Sequence, residues 1–438
     1  MLKSMPISLT STSISGFVLG AASLCLTSCA PEYAGIIVNV KSIPADASKL
    51  ILKPVVSGKT LNFEVFDQNI NGGGDTQIGL RIAREDLGRQ FGFSIDAYGV
   101  KNCSIATGKS GNLQIDEIKK YEVDVVMRAG NDVIDKDLFH VHGSGPNDVW
   151  AVGAEGTAAH WDGCTWRVNS LGAGKLVSKI YVSPAAKASD SYSQGTAYAI
   201  IVPNNIKRWD GAQWIDLFTA MDGALGWIHG NSNNNIWAAG ERSGGGCQLY
   251  RFDGESWLAA NYCQPISTIF LRGVYSLSDK LAFAVGTENS KEAAAIWNGS
   301  QWKSILINPP NTAGSLYTAW GIGGDLWAGG ELNTLRRNTG TGGSLIVDAS
   351  VQGLLGMASS GRGIFSVSGT GPQDIWLVAV DAGVGRVLHF DGGMWSFPAG
   401  LDASLIRAVW AQSPSDVWFV GMGGLRVHYD GQRYTKVD

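Results

Sequence analysis

The chain has 438 residues, of which 45% are hydrophobic, 16% charged and 10% aromatic, with 58 glycines and 16 tryptophans. This length exceeds one ordinary domain, and a composition rich in Gly and Trp predicts short strands joined by tight turns rather than charged helices. The formal net charge is −4, and no run of Lys or Arg forms a basic stripe. We therefore expect an all-β protein of two domains, with no nucleic acid as a partner.

Residues 1–28 have the pattern of an export signal. Lys3 supplies a short positive start, and a mildly apolar stretch runs from Ile14 to Leu26. Ser15 and Ser23 interrupt this stretch, so it is shorter than the run of about 18 apolar residues that spans a bilayer. An ordinary signal peptide and an uncleaved anchor are the alternatives to a cleaved lipoprotein signal.

The tetrapeptide LTSC, which ends at Cys29, resembles the lipobox of bacterial lipoproteins. This resemblance implies cleavage before Cys29, acylation of its thiol by palmitate-type chains and a lipid anchor in the envelope of a Gram-negative bacterium. Ala30 stands where the enterobacterial pattern places Asp for retention at the inner membrane, which favours the outer membrane. Residues 29–34 would then be the anchor and tether.

Four cysteines remain in the mature chain after the lipobox, and export exposes them to conditions in which disulfides form. Cys247 and Cys263 flank a predicted hairpin that turns at an Asp-Gly dipeptide and brings them opposite each other. We predict a disulfide between them, with two separate buried thiols as the alternative. Two cysteines stay unassigned, Cys103 and Cys164.

Residues 35–128 contain several short segments in which apolar and polar residues alternate, separated by Gly, Asn, Asp and Pro. This pattern predicts a small β-sandwich, which resembles the immunoglobulin-like or prealbumin-like modules near the anchors of surface proteins. The Gly, Asn and Asp residues of 129–137 predict a linker.

The sequence repeats itself between residues 138 and 438. The first copy contains GSGPNDVWAVG and then WDGCTW. Each copy has four strand patterns and a period of roughly 40 to 45 residues, as a blade of a β-propeller has. We predict a seven-bladed β-propeller in which one aromatic anchor per copy packs between blades. The anchors are Trp150, Tyr198, Trp237, Phe283, Trp327, Trp376 and Trp418.

The WDG-type dipeptides predict hairpin turns between the third and fourth strands rather than metal ligands. Their acidic residues are Asp162, Asp210, Asp253, Asp391 and Asp430. The last copy ends with its fourth strand pattern, which favours closure of the ring by packing rather than by exchange of a strand.

The repeat unit is distantly similar to kelch and Asp-box repeats, and it resembles a propeller repeat of secreted and lipidated bacterial proteins. Only some copies approach the kelch Gly-Gly pair, as at Gly329-Gly330, and the Ser-x-Asp-x-Gly order of the Asp-box is not reproduced. The resemblance implies a fold and no particular activity.

Large aromatic or imidazole residues recur seven or eight positions before the anchors, near the end of each innermost strand. In a propeller these ends surround the mouth of the central channel, and such groups suit stacking on a sugar or gripping a peptide. The alternative is packing between blades, with each imidazole bonded to neighbouring backbone. The candidate ligand-binding residues are His142, His229, Tyr275, Trp320 and Trp410.

The sequence thus predicts a lipid-anchored binding or scaffold module whose propeller recognises a protein or glycan ligand, with no metal, cofactor or catalytic residue assigned. A carbohydrate-active enzyme with a propeller catalytic domain is the alternative. Its carboxylates would be Asp325, Asp374 and Asp416.

Overall fold

The computed structural model describes residues 33–45, 47–56, 66–69, 74–83, 87–99, 104–129, 132–184, 195–260, 262–263, 269–310, 312–338, 344–356 and 362–437. The export signal, Cys29 and Cys103 lie outside these residues. The chain divides into two compact units, and the main boundary lies between residues 131 and 132. Among the described residues, no helix is long and apolar enough to cross a membrane.

Two β-sheets around one apolar core make up the first unit. Its strands are β1 (Tyr33–Ile43), β2 (Ala47–Val56), β3 (Phe66–Asn69), β4 (Gly74–Ala83), β5 (Arg89–Gly99), β6 (Ser104–Lys109), β7 (Leu113–Ile115), β8 (Lys120–Val126) and β9 (Arg128–Ala129). One sheet has the order β4-β1-β8, with β1 and β8 parallel, and the other has the order β3-β2-β5-β6-β9 with β7 beside β5. Along β1, Ile36, Val38 and Val40 are buried because alternate residues of a strand face one side. Both sheets contribute to this core, so the unit is a β-sandwich.

The second unit begins with four antiparallel sheets of four consecutive strands each. Blade 1 has β10 (Leu138–Gly145), β11 (Asp148–Gly153), β12 (Ala158–Trp161) and β13 (Trp166–Val168). Blade 2 has β14 (Val177–Val182), β15 (Ala197–Ile201), β16 (Asn205–Trp209) and β17 (Trp214–Thr219). Blade 3 has β18 (Ala224–Ser232), β19 (Asn235–Glu241), β20 (Cys247–Phe252) and β21 (Trp257–Ala259). Blade 4 has β22 (Ile269–Ser278), β23 (Leu281–Glu288), β24 (Lys291–Trp297) and β25 (Trp302–Ser304).

Three further sheets follow. Blade 5 has β26 (Ile307–Asn308), β27 (Leu316–Ile322), β28 (Asp325–Gly330), β29 (Leu335–Asn338) and β30 (Leu345–Val347), with β26 parallel to β30. The helix α1 (Ala349–Leu355) leads to blade 6, which has β31 (Gly363–Gly371), β32 (Asp374–Asp381), β33 (Val384–Phe390) and β34 (Trp395–Ser396). Blade 7 has β35 (Ile406–Ser413), β36 (Asp416–Gly421), β37 (Arg426–Tyr429) and β38 (Tyr434–Lys436).

The first strands of these sheets form a closed ring. Each contacts the first strand of the next blade, and β35 contacts β10. Blades 1 and 7 each consist of consecutive strands, so within the described part of the chain no strand is exchanged at this junction. Trp166 of blade 1 and Trp418 of blade 7 instead pack in one apolar cluster, with ring centroids 5.4 Å apart. The prediction of an all-β fold with a β-propeller is confirmed.

The second strand of every blade carries its aromatic anchor on the buried side. All the anchors are nearly inaccessible, namely Trp150, Tyr198, Trp237, Phe283, Trp327, Trp376 and Trp418. Trp150 packs against Val177, Ile180 and Ala197 of blade 2, so the anchor fills the space between neighbouring sheets. Large aromatic side chains are needed there because two twisted sheets splay apart away from the axis.

Residues 132–137, which the sequence analysis places in a linker, contact both the first and the last blade of the ring. The N–H of Asp132 donates to the carbonyl of Trp166 at 3.1 Å, and Ile134 is buried in the cluster between blades 1 and 7. Oδ1 of Asp137 accepts from the N–H of Gly423 at 2.7 Å. This segment therefore packs as part of the second unit.

Candidate functional site at the propeller axis

The residue opposite each anchor on the innermost strand defines a layer that we call the axial ring. Antiparallel register places one such residue in each blade. Its members are His142, Tyr181, His229, Tyr275, Trp320, Ser368 and Trp410. All five candidate ligand-binding residues are in this layer.

The side chains of the axial ring meet one another around the axis. The ring centroid of His142 lies 5.9 Å from that of Trp410 in blade 7 and 5.6 Å from that of His229 in blade 3. His229 stacks on Tyr275 at 3.9 Å, and Tyr275 lies 6.5 Å from Trp320. Blades 1 and 3 are separated by blade 2, so their imidazoles can contact each other only on the axial side of that blade.

Tyr181 belongs to this ring but the sequence pattern does not reveal it. It stands 17 positions before its anchor Tyr198, because a longer connection joins the first two strands of blade 2. Its ring centroid lies 5.3 Å from that of His142 and 5.2 Å from that of His229. The apolar residue before it, Ile180, is the one signal it shares with the other members. Burial raises the pKa of its hydroxyl, which has no hydrogen-bond partner among the described residues.

The histidines of the ring accept hydrogen bonds from the next blade. The N–H of Val182 donates to Nδ1 of His142 at 3.2 Å, and the N–H of Ser276 donates to Nδ1 of His229 at 3.1 Å. Because Nδ1 accepts, the proton of each neutral imidazole resides on Nε2. Burial lowers the pKa of His142 to about 4. The pKa of His229 lies well below its ordinary value, mainly because of burial and to a smaller extent because of repulsion from His142. Both imidazoles are therefore neutral donors at physiological pH.

The tryptophans of the ring have a packing role. A Cβ added to Gly143 of blade 1 would lie 2.6 Å from Cη2 of Trp410, and one added to Gly369 of blade 6 would lie 3.0 Å from Cη2 of Trp320. Each indole thus rests on the glycine backbone of the following blade. Trp320 and Trp410 expose only 6% and 8% of their surface, whereas His142, His229 and Tyr275 are partly exposed. The packing alternative therefore describes the tryptophans, and the three other residues offer polar atoms to the axis.

A second layer, which we call the lysine layer, lies two residues earlier on each innermost strand. The register again gives one residue per blade. Its members are His140, Lys179, Trp227, Gly273, Thr318, Ser366 and Ala408. Blades 1 to 3 thus contribute large side chains and blades 4 to 7 small ones.

The three large groups of the lysine layer are in contact. Nζ of Lys179 lies 3.8 Å from the centroid of the Trp227 ring, and the rings of His140 and Trp227 are 5.7 Å apart. Nδ1 of His140 accepts from the N–H of Ile180 at 3.4 Å, which leaves the proton on Nε2. Burial lowers the pKa of Lys179 to about 7. The pKa of His140 lies well below its usual value because of burial and because of the nearby charge of Lys179.

Two of the three carboxylates proposed for an enzymatic alternative, Asp374 and Asp416, are engaged within their own blades, and the third, Asp325, likewise begins the second strand of its blade. Oδ1 of Asp374 lies 2.7 Å from Nε2 of His389, and Oδ1 of Asp416 lies 2.8 Å from Nε2 of His428. Burial raises the pKa of Asp374, but hydrogen bonds from His389 and from Thr370 outweigh it and hold that pKa below its usual value. These contacts join the second and third strands of a blade and stack each imidazole on the anchor tryptophan.

A similar group in blade 1 contains Ser, His and Asp but not the geometry of a nucleophile. The hydroxyl of Ser144 donates to Oδ2 of Asp148 at 2.5 Å, while Nε2 of His160 lies 2.8 Å from Oδ1 of the same carboxylate. The carboxylate therefore separates the hydroxyl from the base, whereas an activated serine must donate to the histidine. Among the described residues, no group of three or more His, Cys, Asp or Glu side chains could hold a metal ion.

The Asp of each WDG-type turn caps its own hairpin. Oδ1 of Asp162 accepts from the N–H groups of Cys164 and Thr165 at 3.0 and 2.9 Å, and Gly163 between them has φ of 99°. The same pair of backbone bonds occurs at Asp210, Asp253, Asp391 and Asp430. This local bonding accounts for the recurrence of these residues without a metal.

A disulfide joins Cys247 and Cys263, whose Cα atoms are 5.3 Å apart. Cys247 begins β20, and Phe252 pairs with Trp257 across the Asp-Gly turn, so the register carries the two cysteines towards each other. Cys164 is disulfide-bonded as well.

Fold and site together define a β-propeller protein with a β-sandwich before it and a polar, aromatic-lined axis. No protein-family model matches the chain, and no curated protein is similar to it. Among solved structures it is similar to YCF48 from Cyanidioschyzon merolae, with a TM-score of 0.50 and 16% identity over 68% of this chain and 97% of that one. It is also similar to the β-propeller domain of Swd1 from Myceliophteria thermophila, with a TM-score of 0.48 and 9% identity over 66% of this chain and 94% of that one. A structure of YCF48 bound to D1 peptide has a TM-score of 0.48 and 17% identity over 68% of this chain and 92% of that one. At these identities the likeness concerns the fold.

Proposed function

We propose that this protein is a lipid-anchored envelope module whose propeller binds a protein or glycan ligand at the axis. The observation that supports this most is the cluster of partly exposed groups formed by His142, His229 and Tyr275. The Nδ1 atoms of the two histidines accept from backbone N–H groups, but within the described residues no partner engages their Nε2–H donors. Donors held on rigid strands in an apolar surrounding suit recognition of a ligand rich in oxygen acceptors.

The anchor and the location are proposed from Cys29 and from the disulfide. A disulfide between Cys247 and Cys263 suits an oxidising compartment such as the periplasm or the cell surface. Acylation at Cys29 would hold the chain at the membrane, because several acyl chains on one protein give stable anchoring. Incorporation of labelled palmitate that persists after Cys29→Ser would contradict this anchor.

The binding proposal is tested with the chain from residue 30 onward, which keeps both units. It is screened against a glycan array and against envelope proteins, next to the double variant His142→Asn, His229→Asn. The Oδ1 of Asn can accept from the backbone N–H group as Nδ1 does, whereas its amide N–H donors lie closer to the backbone than the Nε2–H that they replace. His428→Asn, which alters a histidine on an outer strand, is the control.

We expect binding to fall by roughly ten-fold or more in the double variant, since each hydrogen bond is worth about 1 kcal/mol, while the control binds normally. Tryptophan emission during heating checks that both variants are folded. Undiminished binding by a folded double variant refutes a site at the axial ring. Release of a shorter product from any glycan supports the enzymatic alternative instead.

A further inference from the structure

We infer that the lysine layer is a carboxylate-binding site, in which Lys179 pairs with an acidic group of a peptide ligand. This inference rests on the proposed binding function and names the chemistry of the ligand. Lys179, His140 and Trp227 form the site, and none of them was indicated by the spacing of the sequence repeats.

Lys179 is a partly buried cation that makes no ion pair with the described residues. The side chain packs over the Trp227 ring at 3.8 Å, and among the described residues no carboxylate contacts its ammonium group. Lys207 in the same blade shows the ordinary arrangement, with Nζ 3.0 Å from Oδ2 of Asp216. Buried charges are normally paired, so an ammonium group that no carboxylate of the described residues contacts favours an anion supplied by a ligand.

The groups around Lys179 add donors and leave no described carboxylate in contact with it. The histidines on the strands packed against its own are His140 and His142 on β10 and His229 on β18, and burial keeps the pKa of each low. The neighbouring strands also carry Asp148 on β11, whose carboxylate is engaged by Ser144 and His160, and Tyr198 on β15, whose pKa is raised by burial. His140 accepts at Nδ1 and so directs an N–H donor from Nε2. One ammonium and one N–H donor match the two oxygens and single charge of a carboxylate better than the three oxygens and roughly double charge of a phosphate monoester.

The dimensions of this layer favour a peptide over an acidic sugar. Lys179 is flanked by the rings of His140 and Trp227, which contact each other edge to face with centroids 5.7 Å apart and are only 9% and 7% exposed. A carboxylate at the end of a flexible side chain or at a chain terminus is slender enough to approach an ammonium group in such crowded surroundings. A uronic acid carries its carboxylate directly on the sugar ring, so the ring would have to enter the same layer.

Protonation of Lys179 links this site to pH. Burial lowers the pKa of Lys179 to about 7, so the ammonium form is depleted as pH rises through neutrality. A bound carboxylate favours the charged amine and raises this pKa. We therefore expect affinity to weaken between pH 6 and pH 8.5, a range in which the ligand carboxylate stays ionised.

The test uses the chain from residue 30 onward and an array of ten-residue peptides. Each sequence is presented with a free carboxyl terminus and with an amidated one, and acidic side chains are exchanged for their amides in a third set. Oligogalacturonate serves as the glycan probe. Proteins compared are wild type, Lys179→Met, Lys179→Arg and the matched control Lys207→Met.

A second measurement does not depend on a variant folding. Acetylation of Lys179 in the wild-type protein by an activated acetate ester is followed by mass spectrometry, with Lys207 as internal reference. A peptide whose carboxylate binds the ammonium should slow acetylation of Lys179 and leave Lys207 unchanged.

We expect carboxylated peptides to bind roughly ten- to hundred-fold more weakly to Lys179→Met than to wild type, and amidation to have a similar effect. Lys179→Arg should retain most of the affinity, and Lys207→Met all of it. Peptide binding that is insensitive to Lys179→Met, or equal for carboxylate and amide, overturns this inference but leaves the binding function standing.

Dependence of oligogalacturonate binding on Lys179, with no peptide selected, overturns the assignment to a peptide. If no probe binds and none protects Lys179 from acetylation, the carboxylate site is refuted. The binding function is then judged separately by the His142 and His229 variants.

Discussion

Replacing Lys179 by Met is predicted to change how the stability of the propeller depends on pH. Burial lowers the pKa of Lys179 from 10.5 to about 7 in the folded protein, whereas the unfolded chain keeps the ordinary value. Between these two values the unfolded state binds more protons, so the free energy of unfolding rises with pH. Below pH 7 both states are protonated, and the unfavourable burial of the charge is present in full.

The magnitude follows from the two pKa values. At about 1.4 kcal/mol per pH unit, the difference corresponds to at most roughly 5 kcal/mol. Lys179 is partly exposed, so solvent screening reduces this, and we expect a rise of roughly 2 kcal/mol between pH 7 and pH 9.5. Met fills a similar volume without a charge, so Lys179→Met should be more stable than wild type at pH 7 and nearly equal to it at pH 9.5.

Urea unfolding followed by tryptophan emission measures this in the propeller alone. All 16 tryptophans lie between Trp150 and Trp418, so the first unit does not contribute to the signal. The three histidines of the axial ring and the lysine layer, His140, His142 and His229, have a pKa below the ordinary value and do not titrate above pH 7. Parallel stability curves for wild type and Lys179→Met from pH 7 to pH 9.5 would show that the ammonium is not desolvated and refute the reasoning.

Two further predictions concern contacts between blades. Gly143→Ala would place a Cβ 2.6 Å from Cη2 of Trp410 and should lower the free energy of unfolding by about 1 to 3 kcal/mol. The control Gly145→Ala, whose Cβ meets no atom within 4 Å, should have little effect in the same urea titration. A melting temperature of Gly143→Ala equal to that of Gly145→Ala would contradict the packing described for the axial ring. Arg336 and Glu292 form a buried ion pair, with Nε 2.7 Å from Oε2 and side chains 1% and 2% exposed. Arg336→Met leaves the buried carboxylate unpaired and should lower the free energy of unfolding by about 3 to 5 kcal/mol. Recovery of most of this loss in the Arg336→Met, Glu292→Met double variant is expected, and a double variant as unstable as the single one would show that packing is responsible.

The propeller could be predicted from the sequence because its signals are local and repeated. A turn, a buried aromatic such as Trp150 and an Asp-Gly hairpin recur in successive copies, and each acts within one blade. The pairing of Cys247 with Cys263 follows from one hairpin register in the same way. The spacing rule misses Tyr181, because a longer connection in blade 2 separates it from its anchor.

The strand pattern, the repeat and the candidate residues of the innermost strands can be inferred from the amino-acid sequence, because each depends on neighbours within one blade. Which of these residues meet at the axis, how deeply each is buried and which atoms remain unbonded depend on the closed ring of blades. His140 and Trp227 are distant in the chain and touch because the ring of sheets closes. The lowered pKa of Lys179 has the same origin, since desolvation depends on the atoms that all the blades together place around a side chain.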